Sequence, residues 1–257
     1  MRLVSALRVG EKEVVAFVGG GGKTTAMFRL AAEIVESGGR VVTTTTTRIF
    51  AAQTRLAPVH VHSLPDLQAA LQTSPHVLFT NEVDPVEGKT YGVSLEAIQN
   101  LKSQISNLKI PILIEADGSR MRPFKAPAAY EPVIPACATL VVPVVGIDAL
   151  GKPLTEKYVH RPELVARICQ LPEGLEPSGS WVTPEMVAAV LAHPLGGRKG
   201  VPAGARVVPL INKVESEAGL QTAREIAERL MGMEGIDGVV IGAVAREVDP
   251  VIQAYYR

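Results

Sequence analysis

The stretch Val14-Val15-Ala16-Phe17-Val18-Gly19-Gly20-Gly21-Gly22-Lys23-Thr24-Thr25 decides the fold. Its apolar, β-branched start predicts a strand, and the pattern from Lys23 to Ser37 predicts a helix. Between them, glycines let successive backbone N–H groups turn inward on a phosphate, where side chains would block the approach. The helix starts at the loop, so its positive dipole end faces the same anion. On this reading Gly19, Gly20, Gly21, Gly22, Lys23, Thr24 and Thr25 hold a nucleotide. Lys23 reaches the β- and γ-phosphates, and the Thr24 hydroxyl sits on Mg²⁺. The motif G-x-x-x-x-G-K-[ST] has a glycine six residues before its lysine. Phe17 stands there, so this loop is shortened. A flexible strand–helix turn with a solvated Lys23 is the competing reading.

Working outward, apolar runs alternate with helical patterns. Strands are expected at Val14–Val18, Arg40–Thr44, His76–Thr80, Ile110–Glu115, Thr139–Val145, Arg206–Ile211 and Val239–Gly242. Helices are expected at Lys23–Ser37, Pro65–Gln72, Leu95–Asn107, Arg161–Cys169, Pro184–Leu191 and Glu217–Met231. Continuous apolar strands alternating with helices imply right-handed βαβ units, with ligands beyond the strands' carboxyl ends. The expected class is therefore α/β, a three-layer α/β/α P-loop NTPase-like fold with a mostly parallel sheet. Residues 1–257 are read as one domain with a small helical insertion or lid at about 153–204. Asn81–Gly92, rich in turn formers, reads as a hairpin or loop.

Composition narrows the class. Hydrophobic residues make up 47% of the chain and charged residues 20%, as in a globular protein. Lys plus Arg and Asp plus Glu number 26 each, so no basic excess points to nucleic acid. The longest strongly apolar run, Leu140–Ile147, is broken by Pro143 and Gly146 and is too short to span a membrane. Glu11, Lys12 and Glu13 interrupt any signal-peptide core. Cys137 and Cys169 lack metal-site spacing and read as reduced thiols of a cytoplasmic protein.

Three further runs carry chemistry. Ile112-Leu113-Ile114-Glu115-Ala116-Asp117 is an apolar strand ending in carboxylates, a Walker B pattern. One carboxylate would hold Mg²⁺ and the other would orient an attacking water. Residues 115 and 117 fall on one side of an extended strand. Glu115, Asp117 and Lys23 are thus the candidate catalytic residues, and Asp117-Gly118 resembles the start of a γ-phosphate-sensing switch. Thr43 to Thr47 end the second strand. Their hydroxyls fit either β-propensity or a role at the metal, where Thr47 joins Thr24 and Asp117 as a candidate ligand. Arg48 beyond them is a candidate anion contact. The strand Arg206–Ile211 ends in Asn212-Lys213-Val214-Glu215. This is close to the N-K-x-D guanine reader of GTPases, with one extra methylene on the acid. An ordinary strand end with a polar turn is the alternative. The loop residues Arg120, Arg122 and Lys125 are candidate contacts for an anionic second substrate, or else a solvated basic loop.

Several segments together resemble the YqeC family. They are Gly19–Thr25, Thr47-Arg48-Ile49-Phe50, Glu115-Ala116-Asp117-Gly118-Ser119-Arg120 with Lys125-Ala126-Pro127 and Glu131-Pro132-Val133-Ile134-Pro135, Gly146–Leu154, His160-Arg161-Pro162 and Asn212-Lys213-Val214. The resemblance runs from about Val14 to Glu215. It implies a cytoplasmic P-loop factor that assists maturation of selenium-dependent molybdenum hydroxylases, with a client hydroxylase or another selenium-cofactor maturation protein as partner. Mg²⁺ with GTP or ATP are the cofactors expected. The alternative is a small-molecule kinase or ligase-like transferase using ATP, since the shortened loop also occurs in Mur-ligase-like proteins.

Overall fold

The computed structural model describes residues 1–172 and 179–257. Residues 173–178 of the expected helical insertion lie outside the described residues. The chain opens with a short helix α1 (Leu3–Ala6), then β1 (Val14–Gly19), α2 (Lys23–Glu36), β2 (Val41–Thr45), β3 (Arg48–Phe50), β4 (Val59–Val61), α3 (Leu64–Thr73) and β5 (His76–Phe79). There follow β6 (Val83–Asp84), β7 (Lys89–Tyr91), α4 (Leu95–Gln104), β8 (Ile112–Glu115), β9 (Phe124–Lys125) and β10 (Leu140–Gly146). The rest comprises β11 (Val159–His160), α5 (Pro162–Ile168), α6 (Pro184–Ala192), β12 (Arg206–Val207), β13 (Leu210–Asn212), α7 (Glu217–Met231), β14 (Gly238–Gly242) and β15 (Val251–Tyr256).

The main sheet has the order β15-β14-β13-β10-β1-β8-β2-β5-β4, with β12 also paired to β10. Every pairing in it is parallel except β14–β15 at one edge. Alternation along β1 explains the layers. Val15 and Phe17 pack with α1 and α2 on one face. Val14, Ala16 and Val18 pack with α3 and α4 on the other. Farther along that second face, α5, α6 and α7 cover Val145, Ile211, Val239 and Ile241. Each of these strand residues is at most 2% exposed, and such burial is worth roughly 1–3 kcal/mol for a large apolar side chain. Helices therefore flank both faces, and the class is the α/β sandwich expected. The helices of the 153–204 segment share one core with α7.

One expected strand is split and one edge strand is added, each for a physical reason. The single strand expected at Arg206–Ile211 is split, because Pro209 has no N–H to donate and the ladder breaks there. Asn81–Gly92 does form a hairpin, β6–β7, and β3 pairs with it in a separate three-stranded sheet. The antiparallel edge strand β15 lies outside the βαβ rhythm, because it follows a turn rather than a helix.

Candidate functional site

At the carboxyl ends of β1, β8, β10 and β13, the loop Gly19–Gly22, the acids Glu115 and Asp117, Gly146 and Asn212 converge. The backbone demands glycine here. Gly21 has φ +75°, and a Cβ on it would lie 2.0 Å from the Gly146 nitrogen. Gly22 has φ +115° and is the N-cap of α2, so no side chain caps that helix. By contrast α3, α4, α6 and α7 are capped by Ser63, Ser94, Thr183 and Ser216.

The loop's own donors are partly committed. Gly20 N–H donates to Val144 O (2.9 Å), and Gly21 N–H donates to Arg122 O (3.1 Å). Gly19 N–H donates to both Asp117 oxygens, at 3.1 and 3.0 Å. The N–H groups of Gly22, Lys23, Thr24 and Thr25 have no acceptor among the described residues. They stand at the positive end of a 14-residue helix, which is the geometry of a phosphate-binding loop.

The charged groups meet beneath this loop. Lys23 Nζ donates to Gly19 O at 2.7 Å and lies 3.3 Å from Asp117 Oδ1 and 3.8 Å from Glu115 Oε1. The Thr24 hydroxyl donates to Glu115 Oε2 at 2.6 Å. Lys23, Glu115 and Asp117 are all buried. Burial pushes the Glu115 carboxyl above its ordinary value, against the pull of Lys23 and the Thr24 hydroxyl. A hydroxyl and two carboxylates are hard oxygen donors of the kind Mg²⁺ takes. Among the described residues, no cluster of three or more His, Cys, Asp or Glu side chains forms a metal site. That donor set suits an ion that keeps several waters and borrows phosphate oxygens.

The remaining sequence candidates separate. Asn212 is a strut: its Nδ2 donates to Gly21 O at 2.8 Å, and its Oδ1 accepts from Val244 N–H at 3.0 Å. Lys213 is exposed and pairs with Asp148 at 2.8 Å, while Glu215 is exposed. Thr25 is exposed on the first turn of α2. Thr47 donates its N–H to Thr45 Oγ1, and its own hydroxyl lies 3.9 Å from where a Cβ on Gly118 would stand. Arg48 pairs with Glu87 at 2.9 Å and stacks over Tyr91 on the small sheet. Arg122 donates to Glu156 O at 2.6 Å, and Arg120 is exposed in a left-handed conformation. Lys125, expected in an open basic loop, is instead buried against Asp117 at 3.1 Å.

Four residues stand outside the sequence candidates: Glu131, Arg161, Asp148 and His160. Glu131 accepts from Lys125 at 2.7 Å and also from Arg161. Burial raises the Glu131 carboxyl, but Lys125, the Ala128 N–H and Arg161 override it and leave it below the usual range. Asp148 pairs with Lys213. An acid just beyond an apolar strand, as at Glu115, was the available signal for Asp148. Neighbouring His160 is held neutral, pushed down to about 4 by burial and then by Arg161 and Lys125.

The family model described as "YqeC protein" matches residues 15–163. An Escherichia coli (strain K12) protein described as "Uncharacterized protein YqeC" is 38% identical over 200 residues, covering 78% of this chain and 75% of that protein. Among solved structures, chloroplast FtsY from Physcomitrella patens aligns with a TM-score of 0.46 at 13% identity, over 93% of this chain and 61% of that one. FtsY from Mycoplasma mycoides aligns with a TM-score of 0.43 at 15% identity, over 93% and 62%. The chain thus spans less than two thirds of the length of these FtsY chains. On the family model and the E. coli relative, the chain belongs to the YqeC family.

Proposed function

We propose that the chain binds a Mg²⁺–nucleoside triphosphate at Gly19–Thr25 and hydrolyses it, serving as a maturation factor for selenium-dependent molybdenum hydroxylases. The observation that carries the nucleotide reading is the meeting of Lys23, Thr24, Glu115 and Asp117 under an uncapped helix start.

Each residue has a role in this scheme. The free N–H groups of Gly22 to Thr25 cradle the phosphates, and Lys23 exchanges Asp117 for the β- and γ-phosphate oxygens. Thr24 and Asp117 would hold the metal, and Glu115 would position the water. When bound, Mg²⁺ supplies divalent charge that neutralises the phosphate oxygens. Water oxygen bonds to the γ-phosphorus, the bond to the bridging oxygen breaks, and its electron pair leaves on the diphosphate. The water protons pass to the released phosphate and to solvent. Asn212, Lys213 and Glu215 stand at the base end, and the N-K-x-E run supports guanine there. Nucleotide binding would reorder the Thr47 and Asp117 loops, and hydrolysis would release them, gating delivery to the client hydroxylase. Family membership supports the client class.

Phosphate release from GTP and from ATP tests the reading, with and without Mg²⁺ and with and without the client apo-hydroxylase. The expected result is Mg²⁺-dependent release by the chain alone, faster with client. Nucleotide turnover that requires a small-molecule acceptor, with the phosphoryl group recovered on that acceptor in place of free phosphate, would move the assignment to a kinase or ligase-like transferase.

A further inference from the structure

Asp117 is gripped by two lysines, one on each carboxylate oxygen: Lys23 on Oδ1 at 3.3 Å and Lys125 on Oδ2 at 3.1 Å. Lys125 is 3% exposed, and its ammonium also donates to Gly118 O and Glu131 Oε1, both at 2.7 Å. Glu131 is held in turn by Arg161, whose backbone is left-handed at φ 65°. The row thus runs Lys23, Asp117, Lys125, Glu131, Arg161, with alternating sign, buried from Lys23 to Glu131 and partly exposed at Arg161.

As a stabilising device this row is poor. Well-packed apolar side chains would hold the same space about as well, without the desolvation penalty. Its placement is specific, however. The loop carrying Lys125 is fastened to the phosphate loop, since Gly21 N–H donates to Arg122 O and Gly20 packs on the Arg122–Phe124 backbone. A second register fixes it from the other side, where β9 pairs with β11 and sets His160 opposite Lys125. Lys125 is therefore held at a fixed offset from the loop, touching the carboxylate that Lys23 also touches.

We propose that Lys125 is a second phosphate-binding cation. An oxygen of the terminal phosphoryl group would take the place of Asp117 Oδ2 at the Lys125 ammonium, where charge builds up in the transition state. Glu131, anchored by Arg161, is the positioning residue that keeps the ammonium in place. This deepens the nucleotide reading above and rests on it. It also removes the need for a partner protein to supply that charge, the role an arginine finger plays in other phosphoryl-transfer sites.

The test compares Mg²⁺–GDP and Mg²⁺–ADP with and without aluminium fluoride, a mimic of the transferring phosphoryl group, on the full chain. In wild type, aluminium fluoride should tighten the preferred diphosphate. Lys125→Gln should bind that diphosphate within about 3-fold of wild type and lose about 10²-fold or more of the tightening. Glu131→Gln should lower kcat with KM nearly unchanged, and Glu131→Asp should recover part of the loss. Wild-type chain carrying ¹⁵N at lysine Nζ reads the lysines directly, whether or not Lys125→Gln folds. Both slowly exchanging buried ammonium signals, Lys23 and Lys125, should move on adding aluminium fluoride, with Lys125→Arg assigning them. Diphosphate binding with an unmoved Lys125 signal, or full tightening in Lys125→Gln, overturns this proposal alone. A wild-type chain that binds neither diphosphate overturns the nucleotide reading and this proposal with it.

Discussion

The Thr24 hydroxyl donates to Glu115 Oε2 at 2.6 Å, which joins the first turn of α2 to the end of β8 across 91 residues of sequence. The same carboxylate lies 3.8 Å from Lys23 through its other oxygen. These contacts bring the lysine, the hydroxyl and the strand-end acid of a phosphate site into one buried cluster. They also define what a ligand must displace, since a phosphate arriving at Lys23 replaces carboxylates already there.

Asp117→Asn should lower turnover far more than nucleotide affinity, by about 10²-fold or more in kcat, because its carboxylate acts on the metal and on the charge that develops during transfer. Steady-state kinetics beside equilibrium binding separates the two effects. Full kcat in Asp117→Asn with loss in Glu115→Gln would transfer the leading role to Glu115.

Competition between GTP and ATP tests the base end. The expectation is GTP preference, since guanine offers two donors to one carboxylate and adenine turns an acceptor toward it. Glu215→Asp should sharpen that preference if the extra methylene sets the acid out of register. Equal or tighter ATP binding would show that Asn212–Glu215 does not read the base.

Asn212→Ala should cost stability and affinity together. The substitution leaves Gly21 O and the Val244 N–H without their buried partner, a loss of about 1–3 kcal/mol. Paired urea melts and nucleotide titrations check it. A nucleotide affinity unchanged in a destabilised Asn212→Ala would show that the strut does not shape the loop.

Acid sensitivity should track His76, remote from the site. It is buried beside the Thr43 hydroxyl at 2.9 Å, and burial holds its pKa down at about 4. The unfolded chain takes up this proton near pH 6.5 and the folded chain only near 4. The contribution is therefore whole above pH 6.5 and is lost as pH falls toward 4. The full loss is roughly 3 kcal/mol, about 6–12 °C in Tm for a chain of this size. His76→Asn should show a shallower fall in Tm between pH 7 and 4.5, and an equal fall would contradict the assignment.

Much of this arrangement is written locally. The five apolar residues before Gly19, the glycines and Lys23 announce β1, the loop and α2, because period and backbone freedom are properties of neighbours in sequence. The carboxylates on β8 are legible for the same reason. Lys125 and Arg48 read alike as basic loop residues, yet one is buried on Asp117 and the other pairs with Glu87 on a separate sheet. What separates them is the loop from Gly118 to Glu131 folding back over the phosphate loop, a long-range packing that no window of sequence displays. Glu131 and Arg161 stand in segments that carry the family resemblance, yet the pairing of Glu131 with Lys125 and Arg161 is not legible there, and β15 departs from the alternation of strand and helix because it returns antiparallel.

Phosphate binding at Gly19–Thr25 is read out by calorimetric titration of Mg²⁺–GTP and Mg²⁺–ATP into wild type and Lys23→Ala. Wild type should bind at least one of the two nucleotides saturably. In folded Lys23→Ala, binding should weaken by about 2–5 kcal/mol, the cost of removing one partner from a buried, charge-assisted contact. Equal affinity in the two proteins, or no binding of either nucleotide by wild type, would contradict it.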